Sequence, residues 1–158
     1  MNWPSWLLWG FLANVVLTTT SAATQGLGLT RMNLPYMLGT IFTPDRDRAK
    51  FYGFFIHLCM GWAFSLIYVL IFQSLGVAGW WRGAFIGIIH ALFVLTVFVG
   101  LLPGLHPRMA SEQHGPDAHN MLEPPGFLAL NYGTRTPVAV LLSHVLFGII
   151  LGTFYHLK

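Results

Sequence analysis

Charge is scarce in this 158-residue chain. Eight Lys and Arg plus five Asp and Glu make up 8% of it, against about 25% in an ordinary soluble domain. So few charges cannot cover the surface of a soluble particle, which excludes a soluble enzyme. A disordered tail is excluded too, because 55% of the residues are hydrophobic. Cysteine is nearly absent as well. Cys59 stands alone, so an intrachain disulfide and a Cys-based zinc site are ruled out, and with them a secreted disulfide scaffold. A net charge of +3 is too small for a nucleic-acid footprint and reads as loop charge that orients a membrane protein. No series of segments of about ten residues alternates apolar with polar, as a membrane β-barrel would require.

What the chain does contain is four apolar runs, near residues 5–24, 51–73, 83–102 and 137–157. Each is close to the 20 or so residues that carry a helix across a bilayer, and none holds Asp, Glu, Lys or Arg. Lipid offers the backbone no hydrogen-bond partners, so helices are expected. The expected fold is therefore all-α: a single transmembrane domain over residues 1–158, built as a four-transmembrane-helix bundle. Thr43-Pro44-Asp45 and Thr136-Pro137 read as helix starts, with a hydroxyl at the cap and proline in the first turn. Ser21 and Ala23 offer a small-x-small pattern, but no basic residue precedes the first run, so an uncleaved helix is expected.

Basic residues set the expected orientation. Arg31, Arg46, Arg48 and Lys50 lie in the connection 25–50, and Arg108 and Arg135 in the connection 103–136, whereas the opposite side has Arg82 and Lys158. Both long connections are then cytoplasmic and both termini periplasmic, in a bacterial inner membrane. Trp3, Trp6, Trp80 and Trp81 would form an outer aromatic belt, with Tyr36, Tyr52 and Tyr132 near the inner surface. The short apolar pieces 32–42 and 125–132 are too short to span and are expected to lie at the interface or dip into the bundle.

A spaced pattern recurs. Arg48, His57, Gly61 and Tyr68 reappear 87 residues on as Arg135, His144, Gly148 and Tyr155, and Gly39 reappears as Gly126. A tandem repeat of two helical hairpins would produce this. On a helix, His57, Gly61, Phe64 and Tyr68 share one face, as do His144, Gly148, Leu151 and Tyr155. Gly83, Gly87 and His90 line the third run; Gly10, Asn14, Thr18, Ser21 and Gln25 line the first. Lipid penalises polar side chains, so these stripes should face one another. Asn14, Thr18, Tyr68 and Tyr155 thus belong to a polar seam. His57 and His144 should sit at one depth, about 10 Å inside the cytoplasmic boundary, with His90 about 8 Å further out.

Three intramembrane histidines leave three readings open. They bond neighbouring helices and fix packing. They bind a cofactor: His57 and His144 as ligands to haem b, with Arg48 and Arg135 pairing its propionates, or His57, His90 and His144 to a transition metal. Or the seam relays protons, or holds a quinone headgroup or small solute, as a channel or carrier. The connection 103–136 adds His106, Glu112, His114, Asp117, His119 and Glu123, among which His114 and His119 are candidate metal ligands. Methionines 32, 37, 60, 109 and 121 could handle a soft metal or simply fill gaps. No nucleophile–base–acid set is visible, so a non-enzymatic component is expected, self-associating or part of a larger membrane complex, with lipid but not nucleic acid as a partner.

The run from Gly53 to Phe72 with its H-x3-G-x6-Y core carries a family resemblance. So do Leu102-Pro103 to His106-Pro107, Pro125-Gly126-Phe127 through Asn131-Tyr132-Gly133, and Ser143-His144. Together they resemble a group of small bacterial four-helix integral membrane proteins of uncharacterised activity. The resemblance covers most of the chain from Arg31 onward. It implies an inner-membrane bundle and gives the histidine positions weight, but no ligand or partner.

Overall fold

The computed structural model describes residues 1–111 and 122–157. Its elements are α1 (Trp3–Gly26), α2 (Leu34–Thr40), α3 (Arg46–Leu75), α4 (Trp80–Phe93), a π turn (Val94–Phe98), α5 (Val99–Leu105), a 3-10 helix (Phe127–Tyr132) and α6 (Thr136–Phe154). Among the described residues, four helical stretches are long and apolar enough to cross a membrane: Trp3–Gly26, Arg46–Leu75, Trp80–Leu105 and Thr136–Phe154. The connections 25–50 and 103–136 leave from one end of the bundle and the termini from the other.

Local side-chain caps set the starts of α1, α2 and α3. Asn2 and Asn33 each begin an Asn-x-Pro sequence, and each side chain accepts a backbone N–H three residues on, from Ser5 at 3.3 Å and Tyr36 at 2.9 Å. For α3 the cap is Asp45, which accepts from Arg48 N at 2.8 Å. The hydroxyl expected to cap from Thr43 lies outside the helix, and Pro44 precedes it. At α6 the expected Thr136 cap does not form. Its hydroxyl bonds Thr30 across the bundle at 2.7 Å, a tertiary partner in place of the local one. That helix also ends at Phe154, so Tyr155 lies in extended backbone beyond it.

Small residues bring the helices together in two matching crossings. In the first, Gly10 of α1 abuts Trp62 and Ser65 of α3, and Asn14 lies over Gly61. In the second, Gly83 of α4 abuts Gly148 and Gly152 of α6, and Gly87 abuts His144 and Val145. Gly83 and Gly87 follow Gly10 and Asn14 by 73 residues. Gly148 and Gly152 follow Gly61 and Ser65 by 87. The two crossings use equivalent positions with their closest contacts about one turn apart: Gly61 meets Asn14, whereas Gly148 meets Gly83 rather than Gly87. A Cβ on Gly148 would fall on the Gly83 carbonyl, so only glycine permits this approach.

The segment 25–50 folds back onto the bundle. Helix α2 docks on the start of α3, with Gly39 against the Ala49 carbonyl and Gly53 against that of Pro35. Arg108 pins it from the other connection. Its guanidinium donates to the carbonyls of Thr40 at 2.6 Å and Ile41 at 3.0 Å, which places positive charge at the C-terminal end of α2. The second apolar piece, Phe127–Tyr132, makes a turn in which Leu128 and Ala129 adopt positive φ. Tyr132 is buried, and its hydroxyl donates to the Glu123 carbonyl.

Two apolar clusters fill the interior. Ala13, Leu17, Tyr68, Val69, Phe72, Phe147, Leu151 and Tyr155 pack at the termini end; Met32, Met37, Leu95, Val99, Leu102, Met109, Ala129 and Tyr132 pack at the connection end. The outer face is also apolar, with Leu8, Phe55, Leu70, Phe85, Ile89, Leu101 and Leu142 all exposed. Trp3, Trp80 and Trp81 are exposed at the termini end as expected for a belt, whereas Trp6 turns inward and donates to Ser65 Oγ at 2.9 Å.

The π turn decides what faces inward on the third span. A straight α-helix from Gly83 would carry its buried stripe through positions near 94, 97, 101 and 105. The buried residues are Val94, Leu95, Val99 and Leu102, followed by His106, while Val97, Leu101 and Leu105 are exposed. The wide turn adds one residue and shifts the stripe.

Candidate functional site

Between the two apolar clusters lie His57 on α3, His90 on α4 and His144 on α6, each 7–8% exposed. The rings of His90 and His144 meet edge to face, with centroids 4.6 Å apart. The expected 8 Å offset of His90 is therefore wrong. Helix α4 starts at Trp80 rather than residue 83, which carries His90 about one turn deeper. Phe64 stacks on His90 at 4.4 Å.

Hydrogen-bond partners fix the tautomers. Thr18 donates its one hydroxyl proton to the Asn14 carbonyl at 2.9 Å. Its oxygen also lies 3.0 Å from His57 Nδ1, so that nitrogen carries the proton and donates to Thr18. His144 Nδ1 lies 2.8 Å from the Val140 carbonyl, which can only accept, so it too is protonated. In their neutral forms, both rings then present an unprotonated Nε2. At His90 the contact is between Nδ1 and the Tyr68 hydroxyl, at 3.1 Å. Among the described residues no hydrogen bond engages Nε2 of any of the three. A carbonyl or hydroxyl on Nδ1 with Nε2 left free is how proteins orient an imidazole as a ligand.

All three rings line a cavity of about 30 Å³ together with Met60 and Phe64. His57 and His144 also line a second, of about 40 Å³, with Met32, Ser21 and Ser143. Either can hold a water molecule or a bare ion. Neither has room for a porphyrin, and Arg48 and Arg135, the expected propionate partners, are exposed and line neither cavity. The residues do not fit haem b. Among the described residues no three His, Cys, Asp or Glu side chains are arranged to hold a metal, so the three-histidine metal set expected from sequence is not formed. Cys59 is exposed.

The cavities lie in a row towards the connection end. The His57–His144 cavity shares Ser21, Met32 and Leu34 with one of about 180 Å³, which shares Gln25, Asn33, Tyr36 and Lys50 with a vestibule of about 300 Å³ at the connection end. Towards the termini the seam is filled by Tyr68, Phe72, Phe147 and Leu151, each at most 1% exposed. The other seam residues bridge helices. Asn14 Nδ2 donates to the Leu58 carbonyl. The Tyr155 hydroxyl accepts from Gln73 Nε2 at 2.8 Å and from Asn2 N at 3.1 Å.

The loop candidates divide. His114 and His119, with Glu112 and Asp117, lie outside the described residues. Glu123 forms an exposed ion pair with Arg31 at 3.3 Å. His106 has both nitrogens in use: Nδ1 accepts Arg108 N–H at 3.0 Å, and Nε2–H donates to the Met37 carbonyl at 2.9 Å. Burial holds its pKa below the ordinary value; the Arg108 guanidinium adds to this and the Met37 bond opposes it. It fixes the fold rather than serving as a ligand. Burial, then the Glu123 charge, pushes the Tyr132 phenol up to about 12 against the opposing pull of Arg31. Sequence reasoning passed over the Thr18–His57 pair. Met60, one of the methionines it considered for a soft metal, follows His57 by three residues on one helix face and lines the same cavity.

No known family, curated protein or solved structure matches the chain.

Proposed function

We propose that the protein is a non-enzymatic component of the bacterial inner membrane that holds one soft monovalent metal ion, Cu(I), between His57 and His144 with a methionine thioether. The free Nε2 atoms of these two rings, set by Thr18 and the Val140 carbonyl, carry the proposal. Met60 and Met32 supply sulfur beside the rings, and thioether with imidazole favours Cu(I). Among the described residues no carboxylate or thiolate lines either cavity to neutralise a divalent ion, and burying charge without compensation is costly. His90, turned edge-on and bonded to Tyr68, shapes the site's wall.

The largely apolar outer face, which water would not tolerate on this scale, supports membrane insertion. Connections 25–50 and 103–136 are then cytoplasmic, given their Lys and Arg. Small residues recurring at equivalent positions of the α1–α3 and α4–α6 crossings support a tandem repeat of two hairpins. Sealed packing towards the termini favours a terminal binding site over a channel.

Titration of the purified chain with Cu(I) against a colorimetric chelator tests the reading. One ion per chain is expected, with affinity lowered at least 100-fold in His57→Ala plus His144→Ala, and sulfur and nitrogen ligands in X-ray absorption. No stoichiometric binding, or binding indifferent to both substitutions, would overturn it.

A further inference from the structure

The vestibule and the slot beside it have a composition that the metal site does not explain. The vestibule is basic: Arg46 and Lys50, one helical turn apart on α3, line it with Tyr36 and Gln25. Arg31 also faces it but is paired with Glu123 at 3.3 Å. Lys50 has only an exposed contact with Asp47 at 3.4 Å, and Arg46 pairs with no acid among the described residues. The adjoining slot runs between α1 and α3 and is largely apolar, bounded by Ala22, Pro35 and Phe54. Ala22 and Phe54 are exposed, so the slot opens sideways out of the bundle. Lys50 and Tyr36 line both spaces, which therefore adjoin.

We propose that vestibule and slot form one site for an anionic phospholipid, its phosphate held by Arg46 and Lys50 and one acyl chain lying between α1 and α3. A phosphate needs cationic donors, and a chain needs an apolar lateral channel at the same level; the two spaces supply both in order. Their volumes of about 300 and 180 Å³ suit a small-ligand site, typically about 300–1,000 Å³. Basic pockets between spanning helices on the cytoplasmic side take lipid headgroups in this way. The proposal rests on the membrane reading above but not on the metal.

Native mass spectrometry of the full chain, released from detergent, tests it. Retention in the pellet after alkaline carbonate washing first checks the membrane reading separately. Phosphatidylglycerol should then be retained at least ten-fold better than phosphatidylcholine with the same chains, and millimolar inorganic phosphate should not displace it. Arg46→Gln with Lys50→Gln should weaken retention roughly 30-fold, the loss expected of two basic residues near an anionic headgroup. Ala22→Trp, which fills the slot and leaves the charges, should weaken it at least ten-fold; Ala22→Leu serves if tryptophan disturbs α1, judged by circular dichroism. Equal retention of the two lipids, or indifference to both sets of substitutions, would overturn the proposal. So would displacement by phosphate with a neutral Ala22 change, which would mean a free-anion site.

Discussion

The Thr18 hydroxyl stands 3.0 Å from His57 Nδ1 with its own proton already given to Asn14. One threonine on α1 therefore decides which nitrogen of a histidine on α3 faces the cavity. Thr18→Val keeps the shape and removes the acceptor. Cu(I) affinity should fall about 10- to 100-fold, the usual loss when a ligand's supporting partner is removed. Thr18→Ser should restore it. Chelator competition gives the affinity, and nitrogen-15 NMR of the imidazoles gives the tautomer.

Met60 can be separated from the rings. Met60→Leu is close to volume-conserving, so thermal stability should move by less than about 1.5 kcal/mol. Affinity for Ag(I), a soft probe of the same preference, should drop at least ten-fold. Unchanged Ag(I) binding would assign the sulfur to packing alone.

The helix crossings predict opposite outcomes for two glycines. At Gly148 any Cβ meets the Gly83 backbone, and backbone cannot yield as a side chain can. Gly148→Leu should cost at least about 1–3 kcal/mol, the range for overpacking a fitted core, and lower the unfolding temperature in detergent. At Gly100, inside α5, a Cβ meets nothing within 4 Å. Gly100→Ala should stabilise by about 0.5–1 kcal/mol.

His106 predicts a pH dependence. Its folded pKa lies below the ordinary 6.5, so the docked state binds fewer protons than the released one. Docking of α2 is then at full strength above about pH 6.5 and weakens as pH falls below it. Amide exchange across Leu34–Thr40 should be faster at pH 5.5 than at 7.5. His106→Asn should flatten that difference, at the cost of a weaker hold on Met37.

Much of this architecture could be read in the chain itself. Four uncharged apolar runs announced four spans, and the seven-residue spacing of Gly61 and Tyr68 placed both on the inner face with His57. Capping was read less well, because a local signal competes with distant partners: Thr136 looked like a cap until Thr30 claimed its hydroxyl. The depth of His90 failed on a three-residue error in a helix start. Nothing local marked the docking of α2, which depends on Gly39 and Gly53 meeting carbonyls far from them in their own segments. Tautomers were out of reach for the same reason, since Thr18 and His57 are 39 residues apart.

The wide turn at Val94–Phe98 behaves like a single-residue insertion in an otherwise regular rod. Were these residues to close up as ordinary α-helix with none removed, everything downstream would rotate by about 100°. Leu101 and Leu105 would swing inward, and Leu102 would swing out. The anchor at His106 and Arg108 would aim away from the α2 carbonyls it now clasps. By absorbing one surplus residue, the wide turn keeps the histidine level and the clamp at the connection end in phase along the same helix.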